Sequence, residues 1–333
     1  MTSLLASFTI HDFIYGWDIP EWAYRLIAGI SGTLSLLGSS YIVLSCLLLI
    51  FGIVKQSSQT TNVPLVLSLS IADFFSSFSY MTICFNLHNR FWIVCQLQAF
   101  WMQLFELASI LSTGAVSLYL LASIIFRVRG KALSVINGVG IFTAWVVPVV
   151  LALLLLPLRG YGPSGPWCWV EVYGLKFLFF YNFLFLVVVV NVLIYLAVFL
   201  YLTLLGRKVS RKNRHTFRFA RSLLAYLLVF FMVWTMPVVY RLLSLFMDVS
   251  TPLLVIPVTA LNPCGGLFNG IIYGYFARVH QTWYRWFCRR RRAIVSVANP
   301  LARVSTEPES PSGTDMTVAY PVHVGEGPDE SSV

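Results

Sequence analysis

The feature that most constrains this chain is a series of seven apolar stretches, each long enough to cross a lipid bilayer. A helix rises 1.5 Å per residue, so about 20 apolar residues span the hydrocarbon. Such stretches run over 26–54, 63–85, 93–126, 134–158, 174–205, 222–247 and 252–276. Hydrophobic residues make up 58% of the 333, charged residues only 11%, and mean hydropathy is +0.78. A water-soluble core could not conceal that much apolar surface, whereas lipid accepts it on the outside of a bundle. The predicted fold is all-α, a seven-transmembrane helix bundle over 25–276. The loop over 159–172, with three Gly, two Pro and Cys168, is predicted to be irregular.

The net charge of +10 sits in short runs between the apolar stretches. That pattern belongs to membrane topology, and nucleic acid is not an expected partner. One set of connections holds Lys55, Arg127, Arg129, Lys131, seven basic residues over 207–221 and seven more beyond 277. The other set holds Arg25, Arg90, Arg159, Lys176 and Arg241. The excess places the first set in the cytoplasm, and an odd number of spans puts residues 1–24 outside. Those 24 residues carry Asp12, Asp18 and Glu21 but no Lys or Arg, unlike a cleavable signal. The expected location is the plasma membrane.

Past the seventh span, 277–292 alternates aromatic and basic residues at helical spacing, as in an amphipathic helix on the inner leaflet. Cys288, beside four arginines, is a candidate for lipidation. The segment 293–333 is rich in Ser, Thr, Pro and acids and is expected to be a disordered cytoplasmic tail. Its hydroxyls are candidates for phosphorylation and an arrestin-like partner. The last residues, Ser331-Ser332-Val333, suit a PDZ-type domain.

Ionisable residues within spans usually face the interior of a bundle and mark function. Asp73, Glu106 and Arg241 are the candidates, as a polar network that rearranges or, at Asp73, holds a sodium ion. Trp234 and Pro237 stand mid-span in the sixth stretch, where proline kinks a helix. The seventh carries Asn262-Pro263, Gly265-Gly266, Asn269 and Tyr273. Cys95 and Cys168 fall on the oxidising side and can bridge, with Cys84 a competing candidate. Cys46 and Cys264 lie within spans and are expected to pack.

These features together resemble a G-protein-coupled receptor, and more narrowly the cyclic-AMP-receptor-like family. The resemblance rests on Ser70-Ile71-Ala72-Asp73, Cys95-Gln96-Leu97-Gln98, Ser117-Leu118-Tyr119-Leu120 and Trp167-Cys168-Trp169, followed by Trp234 to Arg241 and Asn269 to Gly274. It implies an unknown extracellular ligand, a heterotrimeric G protein as partner, contact with membrane lipid and no cofactor. It also places Tyr119 among the switch residues. The Asp-Arg-Tyr triplet of rhodopsin-like receptors is missing, since Tyr119-Leu120-Leu121 stands there.

Three rivals fit less well. A retinal protein needs a Schiff-base lysine in the seventh span, and 252–276 has none. A transporter or channel, the main alternative, would favour internal repeats and a continuous polar path. An intramembrane enzyme would need catalytic His or acid clusters, yet all five histidines lie outside the spans, so no enzymatic activity is expected. The ligand itself is not predicted.

Overall fold

The computed structural model describes residues 20–53, 62–83, 91–164, 167–206, 214–246 and 252–277. These form α1 (Glu21–Ile50), α2 (Val63–Ile83), α3 (Trp92–Ile124) and α4 (Gly130–Leu154), then a hairpin of β1 (Tyr161–Ser164) and β2 (Trp167–Val170). Next comes α5, a helix Tyr173–Lys176 continued by a π-helical turn Phe177–Tyr181 and by Asn182–Gly206. Helix α6 is Arg214–Phe246. Helix α7 is Pro252–Leu261, a 3₁₀ turn Asn262–Cys264, and Gly265–Ala277.

Six helices among the described residues are long and apolar enough to cross a membrane. A further apolar helical stretch, Leu224–Tyr240, lies within α6. The helices are apolar nearly all round, so the inward face is distinguished by small and polar residues instead. On α1, Ser31, Ser35, Ser39 and Ser45 are buried while Leu34, Leu37 and Leu44 are exposed. Each buried hydroxyl needs a partner where water is scarce. Ser39 Oγ donates to the Ser35 carbonyl at 2.9 Å and Ser45 Oγ to the Tyr41 carbonyl at 2.6 Å.

Helix α3 is the axis of the molecule. It packs against α2, α4, α5, α6 and both hairpin strands, and most of its length is buried. Helix α4 lies at the periphery, with only Ala144, Pro148 and Ala152 buried. On the other side α1 packs against α2 and α7. A Cβ added at Gly38 would lie 2.5 Å from the Gly266 carbonyl oxygen, and one at Gly270 would lie 3.0 Å from Gly38 Cα. The α1–α7 seam is therefore backbone against backbone. Ser35 Oγ, accepting the Gly266 N–H at 2.9 Å, ties it laterally.

One expectation is corrected: the loop over 159–172 is not irregular. Tyr161–Ser164 and Trp167–Val170 pair antiparallel, Tyr161 opposite Val170 and Ser164 opposite Trp167. Pro163 fits an edge strand of so short a ribbon. Within the seventh span Pro263 cannot donate a backbone hydrogen bond, and the chain tightens into a 3₁₀ turn around it. Helix α6 begins at Arg214 and so extends beyond its apolar stretch.

Candidate functional site

The hairpin covers one end of the bundle, and α3 holds it there. Cys95 and Cys168 form a disulfide with Cα atoms 5.3 Å apart. Gln96 Nε2 donates to the Tyr161 carbonyl at 2.7 Å, and Gln98 Oε1 accepts the Cys168 N–H at 3.2 Å. The run Cys95-Gln96-Leu97-Gln98 thus clamps both strands, with exposed Leu97 turned away. One turn and a half further along, Gln103 accepts from Trp169 Nε1 at 3.1 Å and donates to the Phe179 carbonyl at 3.0 Å. Phe179 lies in the π-helical turn, where the backbone pattern slips by one residue and carbonyls become available to side chains.

Beneath the hairpin lies a cavity of about 370 Å³. Sixteen described residues from α2, α3, the hairpin, α5, α6 and α7 line it, and seven are aromatic, among them Trp167, Trp169, Phe180 and Trp234. Its charged lining residues are Glu106 and Lys176. Lys176 Nζ donates to Ser164 Oγ at 2.8 Å and sits 5.9 Å from the centre of the Trp169 ring. Glu106 is 6% exposed, and its carboxylate accepts from the Tyr80 hydroxyl and from Asn262 Nδ2, the latter at 3.4 Å. Asn262 Nδ2 also reaches the Tyr80 oxygen at 2.6 Å. This three-residue knot joins α2, α3 and the first residue of the 3₁₀ turn.

A second, small cavity of about 30 Å³ lies deeper, lined by Ser35, Asp73, Ser76, Ser77, Ser109 and Gly265 together with Glu106, Trp234 and Asn262. The last three also line the larger cavity, so they form the wall between the two. Asp73 is 5% exposed; Ser109 Oγ donates to one oxygen at 2.6 Å and Asn269 Nδ2 to the other at 2.7 Å. A space of this size holds a water molecule or one small ion.

Of the residues singled out from sequence, Asp73 and Asn269 are bonded to each other, and Glu106 and Trp234 share a wall. Pro237 lines the larger cavity from within α6. Tyr273 is fully buried but belongs elsewhere, 3.7 Å from Cys46 Sγ in a cluster with Ile42 and Tyr226. Tyr119 packs beside Leu120 and Ile124, remote from both cavities. Cys46 and Cys264 are buried free thiols, as expected. The Arg241 side chain, Cys84, Cys288, the segment 277–292 beyond Ala277 and the tail lie outside the described residues. The sequence reading missed Tyr80, Ser109 and Gln103. Tyr80 stands seven residues after Asp73, two helical turns along the same face, which was the available signal.

Helices long and apolar enough to cross a membrane, packed around a cavity under a disulfide-pinned hairpin, define a multi-pass membrane protein. A sequence profile described as slime mold cyclic AMP receptor matches residues 26–296, most of the chain. The chain is also 21% identical over 281 residues to cyclic AMP receptor-like protein A of Dictyostelium discoideum, covering 80% of this chain and 70% of that protein. This chain belongs to the slime mold cyclic AMP receptor family.

Proposed function

We propose that the protein is a G-protein-coupled receptor whose larger cavity receives an extracellular ligand and whose opposite end engages a heterotrimeric G protein. The observation that carries this reading is the shared wall of Glu106, Trp234 and Asn262. A ligand touching it from one side alters the packing around Asp73 on the other. Two bundle arrangements then differ in their affinity for ligand, and the ligand shifts the population between them. Pro237 in α6 and the 3₁₀ turn in α7 are the points where the backbone yields.

Several finer assignments accompany this reading. The basic connections belong in the cytoplasm and residues 1–24 outside, at the plasma membrane. The deep cavity suits sodium bound at Asp73, because its oxygens are carboxylate, hydroxyl and amide. Cys288 is proposed as a lipidation site, and the tail as a dock for arrestin-like or PDZ-type partners.

The test is nucleotide exchange on purified heterotrimeric G proteins by the chain in lipid nanodiscs. Cyclic AMP, which the family description names, is the first compound to add. Exchange above that of the G proteins alone, raised further by ligand, supports the reading. No exchange with any G protein, including from Asn262→Ala and Glu106→Gln chains, would turn the assignment toward a transporter.

A further inference from the structure

One corner of the larger cavity specifies the ligand more closely than the fold does. Glu106 is 6% exposed and lines both cavities inside the bundle. Its donors are the Tyr80 hydroxyl and Asn262 Nδ2, both neutral, and both meet the same oxygen, Oε1. Among the described residues Oε2 receives no hydrogen bond. A carboxylate taken out of water needs a full set of donors and a counter-charge, and two neutral donors on one oxygen supply only part of that.

The rings around it suit a cation. Tyr80 stands edge-on to Trp167 with ring centres 6.0 Å apart. Trp169 meets Phe180 at 4.9 Å, and Phe180 meets Trp234 at 5.8 Å. All five rings line the cavity, and Trp234 belongs to the same dividing wall as Glu106. An aromatic face attracts a cation, more strongly where water is excluded, and it also packs well against another ring. The other charged residue of the lining, Lys176, belongs to the hairpin end, where its Nζ donates to Ser164 Oγ at 2.8 Å. Gln103 on α3 and Phe179 on α5 are hydrogen-bonded and so lie at one level of two helices that run the same way. Glu106 follows Gln103 by three residues and Lys176 precedes Phe179 by three. At 1.5 Å per residue the two positions are about 9 Å apart along the axis.

Resting on the receptor reading above, we infer that the larger cavity binds a small protonated organic amine, its ammonium donating to Glu106 Oε2 and its aromatic or aliphatic body lying among the rings. An ammonium brings the missing donor and the missing charge together. A neutral alcohol of the same shape brings the donor alone, and a carboxylate sets like charges side by side. At about 30 Å³ for each water-sized group, the cavity admits roughly a dozen non-hydrogen atoms, the size of an arylalkylamine.

The probes are 2-phenylethylamine and tryptamine, each beside the alcohol of the same skeleton, with 3-phenylpropanoate as the anion and cyclic AMP as a separate arm. Binding is measured at neutral pH on the full chain in nanodiscs, by thermal shift and by titration calorimetry. The amines should bind at least ten-fold tighter than their alcohols, and the anion should not compete. Glu106→Gln should bring amine and alcohol to similar affinity by weakening the amine. If Glu106→Gln does not fold, Glu106→Asp decides: it keeps the charge but withdraws it by one methylene, so preference should move from 2-phenylethylamine toward 3-phenylpropylamine.

Alcohols that bind as tightly as amines, an amine preference that neither substitution moves, or no amine binding at millimolar concentration would overturn the inference. G-protein exchange driven by cyclic AMP without amine binding would overturn it too, yet keep the receptor reading. Amine binding with the expected preference but without exchange on any G protein would support the site and count against G-protein coupling.

Discussion

At the scale of single residues, the interior is held by neutral donors wrapped around two carboxylates. Asp73 receives Ser109 and Asn269; Glu106 receives Tyr80 and Asn262. A hydrogen bond to a charged group is worth about 1.5–3 kcal/mol, and an orphaned buried partner costs a comparable amount. Asn269→Ala should therefore lower thermal stability more than Asp73→Asn, which keeps shape and removes the charge that needs solvation. Melting curves of the two variants in one detergent check the order. Asp73→Asn and Arg241→Ala should both change ligand-driven exchange while surface expression stays normal; unchanged responses would remove them from the switch. Asp73 and Glu106 were legible in the sequence because a charge within an apolar stretch announces itself. Tyr80 and Ser109 were not, since a lone hydroxyl in a span usually bonds its own backbone, as Ser70 does to the Val66 carbonyl at 2.7 Å.

At the scale of elements, the hairpin is tied at four points to α3, while α1 and α7 meet backbone against backbone at Gly38, Gly266 and Gly270. Single losses of Cys95 or Cys168 should be equally harmful and should not add in the double variant, because either one breaks the same bridge. A bridge closing a loop of this length contributes about 4 kcal/mol when the unfolded state is a free chain. Helices that persist in lipid reduce that figure. Gly266→Leu should separate α1 from α7 and cost more than Gly274→Leu, whose Cβ meets nothing closer than 3.6 Å. Fluorescence-detected chromatography after heating reads that difference. The helices themselves were plain from hydropathy. The hairpin was hidden because Gly and Pro mark a break in helix without saying what replaces it. The 3₁₀ turn was half visible, as Asn262-Pro263 signalled a distortion but not its kind.

At the scale of the whole molecule, membership of the slime mold cyclic AMP receptor family supports receptor function, and two stacked cavities lie within the bundle. The prediction at this scale is that filling the wall between them uncouples ligand from response. Asn262→Leu should preserve a ligand's affinity within about ten-fold yet reduce ligand-driven exchange well beyond that, a split measured by binding and exchange on one preparation. Loss of both in proportion would mean that the wall serves the ligand alone. The outline of the molecule could be drawn from the order of apolar and basic segments. The cavities could not, because they arise from side chains on six elements that no spacing within one element relates.

The glycine seam between α1 and α7 has a practical consequence for anyone watching this protein move. Two helices in backbone contact are a natural ruler. Spectroscopic labels placed on α1 and on the Gly265–Ala277 part of α7 should keep a constant mutual distance whatever occupies the cavity. A third label on α6 then reports its own displacement directly, free of ambiguity over which partner travelled.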